Sequence, residues 1–247
     1  MKGLDIIRKL GVDPKDFYLV YSACLGSIYA IQSRFEKDIL KGRKFKLNFP
    51  ECELEFEDNE KYKIQYLGAT NNEDIWMWGW NDKTDFPNEL FDFTNQIKDF
   101  GEVYFADYAR TAHFKMNKEN FSNDLASTIC AMFGGRCSLQ AKSERGTLFV
   151  AVENVSPEIF SAIESKVFAQ ITMFALKNNK VNHRLFIEAF LLWNGIDYKI
   201  QNTTIVAEFD TKVEFHLIKG ENDLVLEKIK IEKPNELAHE KESELIS

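Results

Sequence analysis

The chain has 247 residues, 45% hydrophobic and 28% charged, with 21 phenylalanines, five prolines and a formal net charge of −8. Abundant rings and scarce proline imply a dense aromatic core rather than disordered linkers, while the acidic balance excludes a duplex or a membrane surface as the expected partner, because both need a basic face. The four cysteines, Cys24, Cys52, Cys130 and Cys137, have neither C-x-x-C spacing nor a nearby histidine, so no metal site and no disulfide scaffold is expected; the start lacks a signal-like apolar run and no run is long enough to span a membrane, which points to a reduced, cytoplasmic protein.

The first predicted element runs from Asp13 and Pro14, an N-cap and N1 pair, to about Leu40, with Gly42 as its stop. Phe17, Val20, Tyr21, Cys24, Leu25, Ile28, Ile31 and Phe35 recur at three and four, so a long amphipathic helix is predicted, weakened slightly by Gly26. The basic run Lys41, Arg43, Lys44 and Lys46 precedes the acidic stretch "ECELEFEDNE" and reads as a solvated loop and strand start. The apolar period then changes to two. Residues 53–57, 62–70 and 75–80 form an antiparallel meander, turning at 57–61 and 71–74.

Asp85 and Pro87 open a helix whose apolar face is Leu90, Phe93 and Ile97, closed by Gly101. Residues 103–116 read as a strand followed by a loop. A short helix over 119–133 ends at a glycine pair, and "RCSLQAKSERGTLFVAVEN" is a hairpin turning at "SERG". Ser156 and Pro157 start a helix to about 177, a second covers 182–195, and four strands follow. The fold class is therefore α+β, with antiparallel sheet meanders packed against several amphipathic helices. With no Pro/Gly/Ser-rich divider, the expectation is one domain over residues 1–232; the alternative is two helix-plus-meander halves, about 1–155 and 156–232. Residues 233–247 form a polar acidic tail.

The segment "DIWMWGWND" places Trp76, Trp78 and Trp80 on one face of a strand and Ile75, Met77 and Gly79 on the other. Neither face is polar, which predicts a central strand covered on both sides, its rings packed under a helix. The sharper reading makes the three rings the wall of a ligand cleft, with Asn81 and Asp82 at its mouth. "YLGATNNEDIWMWGWND", "FPNEL" and "KDFGE", with the later "NHRLFIEAFL", resemble an uncharacterised bacterial family of domains of unknown function. That family carries a glycine-small pair, a W-x-W-x-W strand followed by Asn, and a His-Arg pair opening a helix. The likeness spans roughly residues 17 to 219; Ala69 stands where Ser or Thr would be expected. It implies a fold type and no reaction.

His183 and Arg184 invite a base-and-anion-clamp reading beside a plain helix-start role. Arg110 and His113 lie in the least regular stretch and join the candidate ligand residues. No phosphate-cradling loop, nucleophile elbow, H-E-x-x-H or EF-hand spacing is present, so no cofactor is predicted. Cys130, apolar-flanked on a helix, should be an inert thiol. Two functions follow. One is a non-catalytic binding protein, immunity- or defence-associated, that engages a basic protein partner through its acidic surface. The other is a small-molecule or nucleotide binder, with catalysis left open, built around the tryptophan strand.

Overall fold

A computed structural model describes residues 3–82, 84–116, 122–221 and 223–232, the side chains of 122 and 123 excepted, so the tail predicted for 233–247 lies outside the described residues. The class is α+β. Helix α1 (Gly3–Lys9) leads into α2 (Phe17–Arg34), which continues as a π-helical turn over Phe35–Leu40 and stops at Lys41 in the left-handed conformation. The N-cap is Asp16, whose carboxylate accepts from Leu19 N–H, rather than Asp13. The predicted amphipathic character is also corrected. Residues Val20 to Ser27 are all buried, so α2 is a central helix covered on every side. Small residues permit this. At Gly26 a Cβ would stand 2.3 Å from Cγ of Phe190, on the helix α7 (His183–Trp193).

The first sheet has strands β1 (Phe45–Asn48), β2 (Glu53–Phe56), β3 (Lys61–Asn71), β4 (Ile75–Trp78), β5 (His113–Lys115), β6 (Cys137–Ser143) and β7 (Gly146–Val152), all antiparallel. Strand β3 carries β2 against its first residues and β4 against its last, with β7 on the opposite edge. The basic run at 41–46 is paired with the acidic stretch across this meander: Arg43 meets Asp58 and Glu60, each at 2.6 Å, and lies 3.9 Å over the Phe56 ring.

Between β4 and β5 the chain forms α3 (Asp92–Tyr104) and the single turn α4 (Asp107–Arg110). The reading of 103–116 as strand then loop is thus reversed: helix comes first and the strand last. Gly101 does not close α3. It lies within the helix, where a Cβ would meet Arg110 N at 2.7 Å, so the glycine admits α4 rather than ending α3. Phe105, at φ 54°, caps the helix instead. Helix α5 (Ser122–Phe133) then packs on β6 and β7.

The expected helix from Ser156 to 177 is split. Pro157–Phe160 is one 3-10 turn, Ser161–Glu164 are non-helical, and α6 covers Ser165–Asn178. Helix α7 follows, N-capped by Asn182, which accepts from Leu185 N–H. The second sheet has the order β11-β10-β9-β8, from β8 (Tyr198–Gln201), β9 (Thr204–Glu208), β10 (Lys212–Lys219) and β11 (Leu224–Ile231). Its inner residues Ile205, Ala207, Val213, Phe215 and Leu217 pack with α2, α6 and α7 in one cluster. The opposite side of α2 packs with α5, β4 and β7 in a second cluster.

Candidate functional site

The structure separates the predicted site residues into two groups. Trp76, Trp78, Trp80, Asn81, Arg110 and His113 gather along β4 and β5. His183 and Arg184 open α7 beside the second sheet. Trp76 and Trp78 are 0% and 1% exposed, meet edge-to-face at 5.1 Å between centroids, and Trp76 also contacts the Phe149 ring. Trp78 Nε1 donates to Tyr108 O at 3.0 Å. These two rings are core; they do not face an open trough.

The strand ends at Trp78, so Trp80 and Asn81 leave its face in a 3-10 turn over Gly79–Asn81. Trp80 is half-buried beneath the Lys98 ammonium, and Asn81 is exposed. The expectation that β4 is covered on both sides is corrected by Met77, which is 43% exposed opposite the exposed His113. On its outer edge β4 has only the three-residue β5, too short to bring a covering layer with it.

The glycines of this region have steric reasons. A Cβ on Gly68 would stand 2.3 Å from Met77 O and 3.2 Å from Cζ2 of Trp76; one on Gly79 would stand 2.6 Å from Tyr66 O. Close passage of strands beside large rings therefore needs glycine at both positions. Arg110 pairs with Asp107 at 2.7 Å, and Arg184 with Glu188 at 2.6 Å. His183 accepts from the Leu226 N–H through Nδ1 at 3.0 Å, and burial lowers its pKa, so it serves α7–β11 packing as a neutral acceptor.

A concave polar site lies elsewhere, between α2, its π-helical turn, α5 and β6. It encloses about 320 Å³, within the range of small-ligand sites. Gln32 anchors its floor. Its Nε2 donates to Ser138 O at 2.9 Å and to Ser138 Oγ at 2.6 Å, and Ser138 Oγ is 2.7 Å from Ser127 Oγ. The Ser138 carbonyl can only accept, so the amide orientation is fixed. Gln32 Oε1 is consequently buried without a protein donor, a costly arrangement for an acceptor.

The wall carries two tyrosines tied by one amide. Tyr21 donates to Asn179 Oδ1 at 3.0 Å, and Asn179 Nδ2 donates to the Tyr29 oxygen at 2.9 Å. Asp124, in the first turn of α5, faces the same space. Burial pushes its carboxyl up to about 6, against partial relief from the Tyr21 hydroxyl. Glu36 comes from the π-helical turn, a local widening that recurs at functional sites. Among the described residues of the lining none is basic. The surface therefore offers carboxylates and tyrosine rings, which is the complement of a positively charged, donor-rich ligand.

None of Tyr21, Gln32, Asp124, Ser127 and Ser138 was singled out from the sequence. One signal existed: Gln32 sits on the stripe of Ile28, Ile31 and Phe35, a polar residue where helical spacing calls for an apolar one. Among the described residues no three His, Cys, Asp or Glu side chains are grouped to hold a metal, and no helix is long and apolar enough to cross a membrane. All four cysteines are free and buried; burial pushes Cys24 and Cys130 up to about 12, which makes them unreactive. No curated protein and no solved structure matches the chain. Residues 19–155, which span α2, the first sheet, α3 and α5, match DUF6882, a family of unknown function, and the chain belongs to that family.

Proposed function

We propose that this is a cytoplasmic binding protein for a small organic cation, held in the cleft between α2, α5 and β6. The observation that carries the reading is the lining itself: Asp124 and Glu36 stand on one space that no described basic side chain lines. Ammonium or guanidinium groups would donate to Asp124 and Glu36 and lie against the Tyr21 and Tyr29 rings. Its binding would favour the ionised form of Asp124, drawing the pKa down from about 6. The Gln32 amide, fixed on Ser138, holds the floor in place ahead of any ligand. This places the small-molecule reading at a cleft away from the tryptophans. The alternative of a basic protein partner rests on net charge alone.

Calorimetric titration at pH 7.5 with agmatine, spermidine, choline, acetate, phosphate and glucose tests the reading. At least one of the three cations should bind saturably, and Asp124→Asn should weaken that binding tenfold or more. Binding of acetate or phosphate in preference to every cation, or cation binding indifferent to Asp124→Asn, would refute it.

A further inference from the structure

The two carboxylates of the cleft stand at different levels along it. Gln32 marks the middle of the α2 wall. Its amide reaches Ser138, and the Ser138 hydroxyl oxygen is 2.7 Å from that of Ser127, so Ser127 on α5 is level with Gln32. Asp124 precedes Ser127 by one turn of α5 and meets the Tyr21 hydroxyl, which belongs to the first turns of α2. Asp124 therefore lies toward the N-terminal end of α2 from Gln32. Glu36 lies on the other side, one turn beyond Gln32 and within the π-helical turn. Two helical turns, on the order of 10 Å, thus separate the carboxylate-bearing positions along the cleft. The lining around Gln32, from Ile28, Phe35 and Leu139, is apolar. Asp124 is half-buried, whereas Glu36 is exposed at the mouth.

We propose that the ligand is a linear polyamine, with one terminal ammonium at Asp124 and the other at Glu36. This rests on the cation reading above and narrows it. A compact cation reaches one carboxylate only. A chain charged at both ends reaches both, and once the first contact is made the second is intramolecular, so it adds affinity at little further entropic cost. The lengths agree. Nine staggered single bonds of about 1.5 Å part the terminal nitrogens of spermidine, a span of about 11 Å. Putrescine, with five such bonds, spans about 6 Å and falls short. The methylenes between the charges would lie on Ile28, Phe35 and Leu139, as the stem of a lysine lies along apolar surface. No described lysine or arginine lines the cleft to compete for either carboxylate.

Calorimetric titration of the full chain with spermidine, 1,8-diaminooctane, putrescine and octylamine tests this. The first two share one span, putrescine is too short, and octylamine has the carbon chain of the second with a single charge. Spermidine and 1,8-diaminooctane should bind about tenfold more tightly than the other two, and Glu36→Gln should bring them down to the level of octylamine. Asp38→Asn removes an exposed carboxylate outside the lining; it controls for general charge and should leave the affinities unchanged. Glu36 is exposed, so thermal unfolding should show the fold intact in Glu36→Gln. Putrescine or octylamine binding as tightly as spermidine, spermidine binding indifferent to Glu36→Gln, or no binding by any of the four overturns the inference. The cation reading stands or falls separately, on agmatine, choline and Asp124→Asn.

Discussion

Asp124 is the group whose replacement says most about the cleft, because its charge is unfavourable to the folded chain. Burial raises its carboxyl from an ordinary value near 3.8 to about 6. A difference of that size corresponds to about 3 kcal/mol. The carboxylate keeps partial contact with solvent along the cleft, and screening reduces the penalty to about 1–2 kcal/mol. The sign follows from proton linkage. Between pH 3.8 and about 6 the folded chain holds the proton more tightly than the unfolded chain, so Asp124's contribution is fully favourable below pH 3.8 and is lost as pH rises through about 6. Asp124→Asn removes the titration. At pH 7 the variant should be more stable by about 1–2 kcal/mol, a rise in Tm of roughly 2–8 °C for a chain of this size, while losing the cation. Stability bought with function is the usual mark of a strained binding group. Thermal unfolding of both proteins from pH 4 to 8 is the assay. The curves should converge near pH 4 and separate above pH 6. A variant less stable than the parent at pH 7, or a constant gap at every pH, would refute the reasoning.

Two further outcomes test the fold. Gly146 stands at φ 141°, where a Cβ would be 1.8 Å from Thr70 O; Gly146→Ala should cost at least about 2 kcal/mol by backbone strain and lost β3–β7 pairing, measured by urea unfolding. His183→Ala leaves the Leu226 N–H without its acceptor. Because burial holds His183 below its ordinary 6.5, its stabilising bond is present above pH 6.5 and lost as pH falls through the lower folded value; the variant should flatten that part of the stability profile, and an unchanged profile would assign the bond no role.

Local rules carried far in this chain. Period-two alternation marked β2, because a strand exposed on one side writes its pleat into the sequence, while β3 and β4 stood out as largely apolar runs between turn residues. The apolar run within 182–195 marked α7, and its cap, Leu185 N–H on Asn182, is likewise a contact within three residues. The readings that failed did so where a distant neighbour decides. Val20 to Ser27 show a helical stripe, yet the residues between the apolar ones are small, and only packing against α5, α6 and α7 together shows that every side is buried. Gly101 reads as a stop by any local rule, but α4 crosses it and the helix runs on.

Chemistry between residues near in the chain sets the class, the hairpins and the inward face of Trp76 and Trp78. The site, by contrast, arises only from packing. Gln32 stands 106 residues before Ser138, whose strand follows directly on the helix of Asp124, and each is ordinary where it stands. What makes them a candidate site is a desolvated carboxylate over a fixed amide, and neither exists until α2, α5 and β6 close on one another.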